Sequence, residues 1–393
     1  SLTPDSIPGN IALLSGSANN DFLTVNDLNL SKNSFTFSCW IKPNGIQDNY
    51  SAIFCTQDNN SPDFALNFRD GDNTLGFHPT WQWSSGLKVP ADQWSHVAVV
   101  SNGTDVRIYV NGEVKIDNTK LTAEVFSDLD IGRYGNGRTD RYTNLELDEV
   151  CIWNRPLSMD EIRSWRHLCK TDPSHAISSG LVAYYQFNET GGNISLNKTK
   201  YTNHATHYGT SINNHISSDA PVFHGESQKI NVTSAGLKDF NTTGLSMVFD
   251  NGTYPNGDVW VSRGYINPDV SPDALPKCNS YYVINNYGSN KTFTPLTSMS
   301  FTDIQCPGTT TNLYDLYKRE SNDFGMTWET VGSGSTLTGT GINANLTFSA
   351  GLNVSSFSQF MISSQNPRSL TPDSIPGNIA LLSGSANNDF LTV

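Results

Sequence analysis

Glu146 and Asp148 stand two positions apart in the run LELDEVCIW. On an extended strand both side chains reach one face, while Glu149 between them and Val150 points to the other. Two carboxylates over one cleft are the equipment of glycoside hydrolysis, one as acid and one as nucleophile or base. Hard oxygen donors are also what calcium needs. Asp58-Asn59-Asn60 and Asp70-Gly71-Asp72-Asn73 supply more of them. Neither follows the EF-hand spacing, and acidic turn chemistry accounts for both. G-x-S-x-G elbows, H-E-x-x-H helices and phosphate loops are absent. His204 and His207 are close in sequence but read as solvated residues of a polar loop, with no third ligand.

Aromatic residues offer a different chemistry. Trp81 and Trp83 in HPTWQWSSG lie two apart, beside a glycine turn. Tyr134 and Tyr142 occupy the loop IGRYGNGRTDRY with three arginines. An exposed aromatic platform with polar neighbours receives a sugar or a protein, and paired tryptophans also pack cores.

The six cysteines fall into three local pairs, none with zinc spacing. Cys39 and Cys55 flank a polar turn at Asn44–Asn49, and a hairpin there would set them opposite each other. They read as a disulfide or as two buried thiols. Cys151 and Cys169 flank a short helix and are expected to staple it; Cys278 and Cys306 form the third pair. An even count without metal spacing points to an oxidising, extracellular setting.

The elements that must position these groups are almost all strands. SFTFSCWIKP alternates Phe35, Phe37, Cys39 and Ile41 against Thr36, Ser38 and Trp40, a period of two. WSHVAVV and VRIYVNGEVKI add further strands, and Asn111–Gly112 predicts a type I′ hairpin turn. The one convincing helix runs from Ser158 to Leu168, with Ser158 as cap, Glu161 three residues on, and Ile162, Trp165 and Leu168 as its apolar stripe. Nine strand-like segments, from KINVTS to SQFMISS, follow between residues 228 and 366. The fold class is all-β: a jelly-roll sandwich over residues 1–227, including the helix and a trailing strand at 180–192, then a second sandwich of immunoglobulin-like size over 228–366.

Residues 1–25, SLTPDSIPGNIALLSGSANNDFLTV, recur unchanged at 369–393. One period is too long for a solenoid and reads as a bead in a tandem array. Residues 367–393 are then a linker and the first strands of the next identical copy. The linker SQNPR-SLTPDSIPG holds three prolines, which favours semi-rigid spacing. The chain opens without a basic and apolar leader, as an interior fragment would. Acidic residues number 37 against 24 basic ones, for a net charge of −13. That balance argues against nucleic acid or anionic lipid as partner, and no apolar run is long enough for a membrane helix.

The ordered motifs FLTVNDLNLSKNSFTFSCWIKP, DQWSHVAVVSNGTDVRIYVNGE, IGRYGN and LELDEVCIWNRPLSMDEI resemble the laminin-G-like, concanavalin-A-like jelly roll over residues 9–168. Asp148, Glu149, Val150, Trp153, Asn154, Arg155 and Glu161 match its most recognisable stretch. The resemblance implies one calcium ion held by Asp21 and Asp148, with Asn20 nearby. Glycosidases of this fold carry E-x-D-x-x-E, whose last carboxylate is Cys151 here, so the resemblance implies a non-enzyme. The segment GLVAYYQFNETGG is similar to a strand that accompanies this family in bacterial surface proteins. The ending LYKRESNDFGMTWETVG resembles sandwich modules of large secreted proteins of the Bacteroidota. Together these imply a repeat of a giant extracellular adhesin or filament exported by the type IX route. Its partners would be neighbouring copies, parallel chains and a glycan or cell-surface ligand; the alternative is a calcium-dependent lectin acting by avidity.

Overall fold

The computed structural model describes residues 10–365, apart from 18, 58–62, 80–82, 136–138, 173, 210–214, 269–271, 273–275, 308–312, 320–327 and 340–343. The repeated segment 369–393 and Trp81 therefore lie outside the described residues. Two eight-stranded antiparallel sheets form the first sandwich. The back sheet runs Glu113–Asp117, Val106–Val110, Ser95–Ser101, Phe35–Pro43, Asn144–Trp153, Asn10–Ser15 and His215–Ser217, with Leu181–Tyr185 also paired to Asn144–Trp153. The front sheet runs Ile194–Ser195, Ala205–Tyr208, Phe22–Val25, Leu129–Ile131, Ala52–Thr56, Ala65–Arg69, Thr74–His78 and Ser84–Lys88.

Alternation builds the core between them. Phe35, Phe37, Cys39 and Ile41 pack inward with Leu145, Leu147, Val150 and Ile152 of the neighbouring strand. Their alternates are buried too, because the back sheet is covered on its outer face. Trp153, Tyr109 and Tyr184 pack there beneath Leu157, Ile162 and Ile177, while Trp40 and Trp94 meet Ala220 and Val222. The helix Met159–Trp165 is shorter than its sequence pattern and carries the expected capping box between Ser158 and Glu161.

Glu149 departs from the expected geometry. It has φ of 52°, and the pairing with Phe35–Pro43 shifts between Asp148 and Cys151. The bulge turns Glu149 to the outer face instead of the inner one, where its carboxylate accepts from the Tyr184 hydroxyl.

The second sandwich has six strands on one side, Gly225–Val232, Gly257–Gly264, Lys277–Asn286, Gln359–Ser364, Leu313–Arg319 and Glu329–Thr336. Opposite them lie Gly236–Phe240, Leu245–Phe249, Ser298–Ile304 and Ala344–Phe348. Gly236–Phe240 escaped the sequence reading because only Phe240 at its end is buried. Its first strand begins at Gly225, pairing with Gly264, so the expected division after Ser227 cuts through a strand.

The two sandwiches share a polar and aromatic joint. Arg163 donates to the Gly112 carbonyl at 3.0 Å and its guanidinium lies 3.8 Å over the Tyr287 ring. Tyr287 donates its hydroxyl proton to the Asn111 carbonyl at 3.1 Å. Asn111 and Gly112 both have positive φ, as a type I′ turn requires, and a side chain at Gly112 would collide with Tyr287. Arg166 donates to Asn285 at 2.7 Å and to His167 at 2.9 Å. Leu168, Phe223, Tyr281 and Val283 fill the space beside them. Tyr287→Ala is expected to cost about 2 kcal/mol through the lost stacking and hydrogen bond. Calorimetry should then resolve two unfolding transitions where the native chain gives one; an unchanged single transition would show the joint to be energetically idle.

His207 is a buried member of the strand Ala205–Tyr208, where Ser195 Oγ and His207 Nε2 lie 2.8 Å apart, and is not the loop residue the sequence suggested. Burial, then the neighbouring His215, push its pKa down to about 4. The folded state therefore resists its protonation. Stability from this residue is complete above the unfolded value near 6.5 and is lost as pH falls from there to about 4, an effect of about 3 kcal/mol. Urea unfolding at pH 7 and pH 4 should show His207→Asn losing less stability over that interval than the native chain does.

Candidate functional site

With its back sheet covered, the jelly roll leaves the outer face of the front sheet and the adjoining rim for contact with other molecules. Across that face the register aligns Thr24, Asp130, Cys55, Ala65 and His78. Asp130 is fully buried and accepts from Thr24 at 2.9 Å, Gln57 at 2.9 Å and Arg133 at 2.6 Å. Burial raises its pKa against the opposing pull of Arg133. With three donors committed to it, Asp130 anchors the loop that follows and has no second carboxylate to share acid–base work.

That loop folds back over the sheet. Tyr134 lies on Ala52, Cys55 and Ala65 and is 2% exposed, so it is a cover and not the open platform its sequence suggested. Arg141 stacks 5.0 Å over Tyr134 and 4.8 Å over Tyr50, and Arg69 lies on Tyr50 as well. Beneath this ladder, the buried Asn67 Oδ1 and Ser51 Oγ have no hydrogen-bond partner among the described residues. Buried polar atoms are nearly always satisfied, so such a pair marks a place for a water or a ligand hydroxyl.

The rim holds a polar cavity of about 320 Å³ lined by Ser15, Asn44, Gln47, Asp48, Tyr142 and Asn144. Its floor is fixed: Gln47 donates to the Asn144 carbonyl at 2.8 Å and accepts from the Asn144 amide at 2.7 Å. Tyr142 is largely buried and turns its ring toward Phe22, 6.1 Å away. Phe22 in turn stacks on Tyr208 at 4.9 Å with an interplanar angle of 11°, and Arg133 covers it at 3.6 Å. Tyr208 is 47% exposed and is the open aromatic that sequence reasoning missed. The signal was available: Phe22 alternates with the core residues Leu23 and Val25, and Tyr208 pairs directly with it. Trp83, by contrast, packs partly buried against the core.

Asp21 and Asp148 are not brought together. Asp21 accepts from the Ser15 amide at 3.0 Å, and a side chain at Gly209, whose φ is 110°, would collide with its carboxylate. Asp148 accepts from the Glu149 amide at 2.8 Å and from Ser218 Oγ at 2.6 Å. The register sets Ser15 against Asn144 and Ala12 against Leu147, so the two aspartates hold opposite ends of one strand pair. Calcium takes six to eight oxygens, and no group of three His, Cys, Asp or Glu suited to a metal occurs among the described residues. The pair does not fit the ion that the resemblance implied.

The carboxylates of the strand Asn144–Trp153 are similarly engaged. Glu146 pairs with Lys42 at 2.8 Å, and burial raises its pKa. Both it and Asp148 lie on the covered back sheet, away from any open cleft.

Cys278 and Cys306 are disulfide-bonded. The other four cysteines are buried thiols, which corrects two expected bridges. Cys39 points into the core, whereas Cys55 belongs to the front sheet and faces outward, because the segment after Pro43 crosses between sheets instead of closing a hairpin. Cys151 packs under the helix with Tyr184, while Cys169 packs with Trp40 and Trp94.

Residues 17–163 match the model of the concanavalin A-like lectin/glucanases superfamily, and the first sandwich is a concanavalin A-like jelly roll. Among solved structures, the chain is similar to a putative carbohydrate binding protein from Bacteroides ovatus, at 20% identity and TM-score 0.43, covering 55% of this chain and 61% of that one. It thus spans under two thirds of that protein's length. A heptameric SAP-like pentraxin from Limulus polyphemus is similar at 19% identity and TM-score 0.35, covering 41% and 82% of the two chains. Domain 4 of an extracellular arabinanase from Geobacillus stearothermophilus, in complex with arabinotriose, gives 21%, 0.34, 40% and 77% respectively. No curated protein matches the chain.

Chelation tests the calcium assignment. Adding EDTA and then excess calcium should leave the melting temperature within about 1 °C, since no bound ion contributes mass-action stability. A rise of several degrees with calcium would restore Asp21 or Asp148 as a ligand.

Proposed function

We propose that the chain is a repeat unit of a giant extracellular tandem-repeat adhesin or filament, giving reach and cell-surface attachment without catalysis. One observation carries the reading. The 25 residues that recur at 369–393 encode, in their first copy, the strands Asn10–Ser15 and Phe22–Val25. Both are interior strands: one lies between Asn144–Trp153 and His215–Ser217, the other between Leu129–Ile131 and Ala205–Tyr208. Those places are taken. A second copy of the same strands needs a second set of partners, which a following bead supplies.

The joint around Tyr287 supports the reading, since beads fixed internally and spaced by a proline-rich linker extend farther than free domains. The acidic surface suits a chain that must stay soluble at high local concentration. Parallel association of several chains, surface localisation and type IX export belong to the same proposal and rest on the sequence resemblance.

A second reading has its own support: a lectin module whose repetition gives avidity. The exposed Tyr208 beside the polar cavity at Tyr142, together with the unsatisfied Asn67 and Ser51, offers the mix of aromatic face and hydroxyl partners that sugars use.

Limited proteolysis separates copy number from compactness. In the 393-residue chain, residues 369–393 should be cut away first and leave the sandwiches intact, while a chain of two full periods should protect the same segment at its internal boundary. Protection in the single-period chain would sink the tandem reading. On a glycan array, loss of binding in Tyr208→Ala would establish the lectin function; no binding by the native chain would remove it.

A further inference from the structure

We propose a second ligand site, independent of the reading above: a cationic cavity that takes a sugar residue bearing a carboxylate or a sulfate. Residues 170–178 and 198–200 enclose about 460 Å³, lined by Lys170, Lys198, Lys200, Thr171, Thr199 and Leu181. That volume falls in the range of about 300–1,000 Å³ typical of small-ligand sites. Three lysines around one cavity stand out in a chain with only 24 basic residues and a net charge of −13.

Their partners make the case stronger. Lys170 is 6% exposed, yet its ammonium donates to the Leu168 carbonyl at 2.8 Å and forms no ion pair among the described residues. It lies 5.9 Å from the Tyr184 ring, a weak contact for a charge so thoroughly buried. Lys200 likewise has no carboxylate, only the Tyr201 ring at 5.4 Å. Lys198 reaches Glu189 at 3.9 Å, but that carboxylate already accepts the Leu196 amide at 3.0 Å. A buried ammonium gains most from a charge-assisted hydrogen bond to an anion. Leu181 and the threonine methyl groups provide an apolar wall for the C–H face of a pyranose, and the threonine hydroxyls can meet its hydroxyl groups. A bare inorganic ion would use only the lysines.

Isothermal titration at constant ionic strength tests this with glucuronate, glucose 6-sulfate, glucose and inorganic sulfate. The two acidic sugars should bind, with glucose and inorganic sulfate weaker by about tenfold or more, the loss expected when one class of contact is missing. The double variant Lys198→Met/Lys200→Met, altered at the mouth of the cavity, should weaken acidic-sugar binding by about tenfold or more while leaving the unfolding midpoint unchanged. Equal binding of all four compounds, inorganic sulfate binding as tightly as the sulfated sugar, or undiminished binding by the double variant would each overturn the proposal.

Discussion

The strand Asn144–Trp153 organises the first sandwich, and it does so because it is broken. Asn10–Ser15 pairs with residues 144–147 along one edge, and Leu181–Tyr185 pairs with residues 150–153 along the same edge. The left-handed turn at Glu149 separates the two halves, so one strand seats two neighbours end to end while Phe35–Pro43 runs along its other side. The cost of positive φ in a β-strand is offset by what the Glu149 carboxylate gains, the Tyr184 hydroxyl and the Gln186 amide. Cys151 and Trp153 then reach the outer face, where the helix settles on them.

From that arrangement follows the unequal treatment of the two sheets. The back sheet, covered by the helix and by residues 218–223, becomes the mounting for the second sandwich. Arg163, Arg166 and His167 meet its strands there through neutral partners, and burial lowers the pKa of both Arg166 and His167. The front sheet keeps a free outer face, and its polar inventory, built around Asp130 and the arginine–tyrosine ladder, is concentrated there. One side supports and the other meets solvent.

Much of this was legible in the residues. The alternation at Phe35–Ile41, the Asn111–Gly112 turn and the Ser158–Glu161 box each express a local rule that the surroundings reinforce. What escaped depended on long-range placement. Nothing in D-E-V announces a left-handed glutamate, because Glu149 is stabilised by Tyr184 and Gln186, more than thirty residues away. The Cys39–Cys55 bridge was inferred from a hairpin, but a polar turn joining two strands looks the same whether it folds back within one sheet or crosses to the other. The aromatic platform was sought in Trp83, Tyr134 and Tyr142, whose ring size speaks equally for burial. Tyr208 drew no notice, although pairing with Phe22 makes it the exposed ring.

The places where the described chain begins and ends carry a mechanical meaning. Asn10–Ser15 enters the first sandwich between two strands, and Gln359–Ser364 leaves the second between Lys277–Asn286 and Leu313–Arg319. Tension applied through these ends runs along both strands, and their ladders are antiparallel, with hydrogen bonds set across the direction of pull. The bonds of each ladder are then strained together, in shear, instead of parting one after another as a peeled edge strand would. A molecule pulled through its termini meets the load at its most enclosed strands.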